Sequence, residues 1–294
     1  MLTRKSGLAT LARMACLAAL PLAPQAAAQD RADPIVVEAD RQQLEVDGGE
    51  VRSQARAVTP RGAVLGEPLA RFQDPICPGV WGLSAASAQY IIDRIYYNAE
   101  AAGIAVDLRE GCAANVIVAF VDDPQAEFAD MVAGRHQLVN GLSFDERKRV
   151  RETRGPVLAW NIVATRTRDG QDRDGRPPVF ESTEISRLNA GTRRDMLASV
   201  IMLDTDLLED LDGLALADYA TMRTLARTRP VEQDAAAYRT VLSLFDDPVR
   251  APQSLTDFDR AYLASLYSGR ANQPGQLALR DIGNRMEAAL PETP

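Results

Sequence analysis

The run NVIVAFV, residues 115–121, is apolar and largely β-branched from Val116 until Asp122 interrupts it. Such a run is a buried strand, and a chain that must cover one has to build layers of structure around it. Two more stretches read as strands, PVLAWNIVATRTR (156–168) and SVIMLD (199–204), separated by the polar loop DGQDRDGRPP. IAVDL (104–108) reads as a short fourth. Helical spacing frames them. Ser84 is an N-cap for a helix whose apolar stripe is Ala88, Ile91, Ile92, Ile95, Tyr96 and Ala99, and Gly103 stops it. Short surface helices are expected at Pro124–Ala133 and Ser143–Thr153, and longer ones at 214–229, 235–245, 257–267 and 276–290. The expected fold is α+β (or α/β): a small central sheet with an N-terminal helix and a helical C-terminal half.

The first 30 residues, MLTRKSGLATLARMACLAALPLAPQAAAQD, have the parts of a secretory signal peptide. Arg4, Lys5 and Arg13 give a positive start, Leu11–Leu22 is mostly apolar, and Ala26–Ala28 offers the small side chains that signal peptidase accommodates. Cleavage after Ala28 makes residues 1–28 a signal peptide. Its apolar part is shorter than the about 20 residues needed to cross a bilayer, and no later segment approaches that length. Residues 29–73 are polar, with Pro and Gly and no sustained period, which predicts a flexible leader. Residues 74–290 then form a single globular domain.

Export changes the reading of the cysteines. Cys16 leaves with the signal, and the remaining pair, Cys77 and Cys112, reads as a disulfide in an oxidising compartment. The expected location is the periplasm of a Gram-negative bacterium, or secretion. The chain has 33 basic and 41 acidic residues. Three of the basic ones and none of the acidic ones precede residue 29, so the mature chain carries 30 minus 41, a net −11. That balance disfavours nonspecific nucleic-acid binding, which needs cations to displace counterions.

The single histidine, His136, removes the HExxH zinc sites, which need two histidines one helical turn apart. No GxSxG stands near it, and it reads as a solvated loop residue. The segment Asp169–Gly175 has calcium-loop features, with Glu181 as a last ligand, but Gly occupies the first position and Pro177–Pro178 blocks the exiting helix, so a polar hairpin tip explains it better. The pairs Asp122/Asp123, Asp204/Asp206, Asp246/Asp247 and Asp257/Asp259 sit where strands end and helices begin, which is where carboxylates cap helices. No catalytic residue, metal site or cofactor is expected.

Two resemblances can be drawn. CPGVWGL, GCAANVIVAF, LADYATMRTLARTRP and SLTDFDRAYLASLYSG, spanning most of residues 74–290, resemble uncharacterised exported proteins of alphaproteobacteria, notably sphingomonads. An apolar strand, then a helix, then SLTDFDRAYLASLYSG is also similar to the end of zincin-type metalloproteases, where an LTxxD…LYG helix follows the HExxH helix. The matching stretch here is DYATM, with Asp218, Tyr219 and Met222 near the places of the two histidines and the glutamate, to within a residue of register. The resemblance implies a zincin-like scaffold lacking its metal. The expected function is a non-catalytic periplasmic binding or scaffold protein with a protein or envelope ligand as partner. The alternative is a metal-independent hydrolase of the cell envelope using a carboxylate pair.

Overall fold

Strand β5, Thr192–Asp204, is the centre of the sheet. Its whole length pairs antiparallel with β4, Val157–Thr167. Its other edge carries two parallel partners end to end, β1 (Arg71–Phe72) at Asp195–Met196 and β3 (Val116–Val121) at Ser199–Asp204. Strand β2, Pro78–Trp81, pairs parallel with β3. Five strands thus form one sheet with a single antiparallel member. IAVDL contributes only a lone bridge, Ile76 to Val106. The computed structural model describes residues 46–60, 66–171, 189–208 and 211–288. The chain divides into a unit at Met1–Leu44, outside those residues, and a second at Glu45–Pro294. The segment read as a signal peptide, residues 1–28, therefore lies outside the described residues.

Alternation along the central strands separates two cores. Val116, Val118 and Phe120 of β3 and Ile201 and Leu203 of β5 face one layer. Helices of that layer are α1 (Gly48–Val58), α2 (Ala85–Ala101), α6 (Gly213–Leu225), α7 (Asp257–Ser268) and α9 (Ile282–Ala288). A four-residue turn of helix, α8 (Gly275–Ala278), precedes α9. Ile117, Ala119, Val200 and Met202 face the other layer. It is supplied by α3 (Pro124–Ala133), α4 (Gln137–Asn140) and α5 (Phe144–Glu152).

Three expectations are corrected. The leader assigned to residues 29–73 gives way to ordered structure from residue 46. Asp47 caps α1 by accepting from the Gly49 and Glu50 amides, and Val51, Ala55 and Val58 are fully buried. Helices α1 and α9 meet so closely that a Cβ on Gly283 would lie 3.0 Å from the Gly48 Cα. The helix expected at 235–245 is absent. Short 3-10 turns, Gln233–Ala235 and Val241–Ser243, replace it, because the fully buried Asp259 of α7 takes the Thr240 hydroxyl (2.5 Å) and the Val241 amide (3.0 Å). The helix expected at 276–290 is broken between α8 and α9.

Other elements form close to where the spacing puts them, although the helix expected at 214–229 ends at Leu225. Ser84 caps α2 through the Ser87 amide, and Gly103 follows that helix with φ +74°. Both α5 and α7 begin with a capping box, Ser143 with Glu146 and Thr256 with Asp259. Cys77 and Cys112 form a disulfide, with Cα atoms 6.1 Å apart. Among the described residues, no helix is long and apolar enough to cross a membrane.

Candidate functional site

The helix that would have to carry chemistry under the zincin resemblance is α6. Asp212 caps it by accepting from the Leu214 amide at 2.7 Å, and ten of its residues are buried. Asp218 is fully buried and serves the fold. Its carboxylate accepts from Arg94 Nε at 2.6 Å and Nη2 at 2.7 Å, from Asn98 Nδ2 at 2.7 Å and from the Leu255 amide at 2.7 Å. These bonds join α6 to α2 and to the segment entering α7. Met222 is likewise fully buried. Asp218 and Met222 therefore face the core, and no cleft opens on them.

One residue along, the helix faces a groove. Tyr219 and Arg223, one turn apart, line a depression of about 1240 Å³ bounded by α5, the Val157–Val163 part of β4 and the segment Arg227–Glu232 after α6. The Arg223 guanidinium lies over the Tyr219 ring, 5.6 Å from its centroid, and its Nη1 donates to the Tyr219 hydroxyl at 2.7 Å. Phe245 meets the same ring edge-on at 4.7 Å. Tyr219 is thus clamped, and Arg223 is the group presented to the groove. On the opposite wall, β4 has β5 on one side, and among the described residues no strand pairs with its other edge. Val157, Ala159, Asn161 and Val163 of that strand line the groove.

Six arginines, Arg149, Arg154, Arg194, Arg223, Arg227 and Arg229, line the groove beside five carboxylates, Glu67, Asp145, Glu146, Glu232 and Asp246, a small excess of positive charge. Two are paired: Arg227 Nη2 with Glu146 Oε1 at 2.8 Å, and Arg194 Nη1 with Glu67 Oε2 at 3.3 Å. Among the described residues, no carboxylate lies within ion-pair distance of the other four. Burial lowers the proton affinity of Arg227, and the neighbouring charges of Arg194 and Arg149 add to that against the attraction of Glu146. Burial pushes the Glu146 carboxyl up, but the hydrogen bonds from Ser143 and the charge of Arg227 outweigh it and hold the group below its ordinary range. Glu146 thereby ties the start of α5 to the chain leaving α6. Arg229 is anchored to α1: its amide donates to Val58 O at 2.8 Å, and its Nη2 donates to Ala57 O.

The other residues singled out from sequence are dispersed, except that Asp246 lines the groove. His136 is exposed and caps α4, its Nδ1 accepting from the Leu138 amide at 3.3 Å. Asp123 caps α3, and Asp122 accepts from the Thr205 hydroxyl at 2.8 Å. Asp204 accepts from the Asp206 amide, and Asp247 is paired with Arg250 at 2.5 Å. Asp257 pairs with Arg260, whereas Asp259 is the buried capping-box acid. Asp169 lies in the turn after β4, and residues 172–188 of that loop, Glu181 among them, lie outside the described residues. Among the described residues, no group of three His, Cys, Asp or Glu is placed to hold a metal ion.

Sequence reasoning placed Arg223, Arg227 and Arg229 at the margin or C-terminal end of a helix, where cations suit its dipole, and missed that the arginines line one groove. They come from α5, β5, α6 and two loops, so no single segment announces them. The available signal was the i, i+4 pair Tyr219 and Arg223, which a one-residue change of register would have found. Comparison with known proteins adds no relative: no protein-family profile, curated protein sequence or solved structure gives a significant match to this chain.

Proposed function

We propose that this chain is an exported, non-catalytic binding protein of the bacterial envelope, whose ligand site is the groove between β4 and α6 on a zincin-like scaffold. One observation carries the reading. At the spacing where the resembled proteases place two histidines, α6 carries Tyr219, buried beneath the groove, and Arg223, which is presented to it. A cation stacked on a phenol offers hydrogen bonds and charge to a ligand, and it does not ligate zinc as a pair of imidazoles does. The order of elements supports the scaffold: strand β5, helix α6, then Leu255–Thr256 leading into α7 with Asp259 as its capping acid. The sequence of residues 1–28 and the Cys77–Cys112 disulfide support export.

The first test is elemental analysis of purified protein together with proteolysis assays with and without chelator. Stoichiometric zinc with chelator-sensitive cleavage would refute the reading. The second places a photo-crosslinking residue at Val163, in the groove, or at Leu108, exposed elsewhere, in intact cells. The Val163 position is expected to give a discrete adduct that Ala159→Trp abolishes. Identical adducts from both positions count against the groove.

A further inference from the structure

Resting on the groove as the binding site, we propose that its ligand is an extended acidic peptide, paired along the open edge of β4 with a carboxylate held by Arg223 and Arg229. The open edge supplies the first half of the argument. Residues 157–163 line the groove over about 20 Å at the usual rise of a strand. Their outward N–H and C=O groups match the backbone of another extended chain. A sugar ring or a nucleotide has no such repeating partner to offer.

The arginines supply the second half. Arg223 spends Nη1 on Tyr219 and Arg229 spends Nη2 on Ala57. Among the described residues nothing accepts from the remaining Nη of either, and neither nitrogen is shut off from solvent. The Nε of each is buried and has no acceptor, so the protein leaves both guanidinium groups incompletely satisfied. A carboxylate is the group whose geometry suits such donors, and charge-assisted bonds of this kind are the strong ones. Arg149 stands exposed at the rim, with no ion-pair partner among the described residues. The surrounding chain is net acidic, which disfavours a polyanion while leaving one or two local carboxylates attractive. Apolar walls from Val157, Val163 and Phe245 suit the aliphatic neighbours of such a residue in a peptide.

The test uses the exported protein and fluorescein-labelled, N-acetylated peptides of alternating Val and Thr with one central Glu, its Gln counterpart, or the Glu peptide N-methylated on alternate backbone nitrogens. Anisotropy is read at low and high salt. The Glu peptide is expected to bind at least tenfold more tightly than the Gln peptide, and the advantage should shrink in salt. The N-methylated version should lose affinity. R223Q/R229Q should erase the Glu advantage and leave Gln binding in place, while R250Q, outside the groove, changes nothing. Circular dichroism and melting check the double variant. Should it fail to fold, R149Q, at an exposed position, takes its place and should reduce the advantage severalfold. Equal binding of Glu and Gln peptides, abolished by Ala159→Trp, would overturn acid recognition and leave the groove standing. Binding indifferent to Ala159→Trp would overturn both readings. No binding by any peptide, or tighter binding of an oligouronate than of the Glu peptide, would also overturn the proposal.

Discussion

Replacing Asp218 by Ala tests whether this acid belongs to the fold or to a site. The side chain accepts four hydrogen bonds, two from Arg94 and one each from Asn98 and the Leu255 amide. Removing it strands two buried donors, at about 1–3 kcal/mol each, although Asn98 keeps a 3.1 Å bond to Thr221. The Arg94 side chain is 21% exposed, so it recovers part of its loss by turning to water. The sum falls near the about 3–5 kcal/mol expected for breaking a buried ion pair from one side. At roughly 2–4 °C per kcal/mol for a domain of this size, melting should drop by about 10 °C. Urea unfolding followed by circular dichroism, with the disulfide intact, gives the free energy directly. A loss below about 1 kcal/mol would refute the structural role. So would unchanged stability with abolished groove binding, which would return Asp218 to the site.

Other outcomes follow from the same geometry. Cys77→Ser with Cys112→Ser should cost roughly 4 kcal/mol by loop-closure entropy over a separation of 35 residues, measured as a lower urea midpoint with a steeper slope, because the uncrosslinked unfolded chain exposes more surface. A chain beginning at residue 74 should show no cooperative unfolding, since it lacks the fully buried Val51, Ala55 and Val58. Well-dispersed amide resonances from that fragment would contradict this. Burial pushes the Tyr262 hydroxyl up to about 12 from 10, against a hydrogen bond with Thr59. The unfolded chain ionises first, so this contribution is complete below pH 10 and is lost as pH rises from 10 toward 12. Tyr262→Phe should flatten that alkaline decline.

The strands and several helices were legible because local pattern and tertiary need agree there. Val116–Val121 is β-branched and is buried in the middle of the sheet, and Ser84 and Thr256 cap the helices their spacing predicts. Helix α1 was hidden although Val51, Gln54, Ala55 and Val58 recur at helical spacing, because its buried face contains small and polar residues. Gln54 is buried by exchanging hydrogen bonds with the Tyr238 backbone, a partner 184 positions away that no local window contains. The segment at 235–245 failed for the converse reason: its helical spacing is real, but Asp259 claims Thr240 and Val241. The groove was illegible because its charge is assembled from five parts of the chain. On α6 itself a single residue of register decided between Asp218 with Met222, which face the core, and buried Tyr219 with Arg223, which carries the helix to the groove.

The contact of α1 with α9 makes the fold a closed loop in sequence as well as in space. The first described helix stays uncovered until the last one arrives, so nearly the whole chain must be available before the core can be sealed. Such long-range closure carries a loop-entropy cost ahead of any reward and slows folding. A product ending before Ile282 leaves Gly48 and its neighbours open to proteases, however complete its sheet. Helix α9 therefore acts as a proofreading step for α1: molecules that lack it should stay sensitive at Gly48.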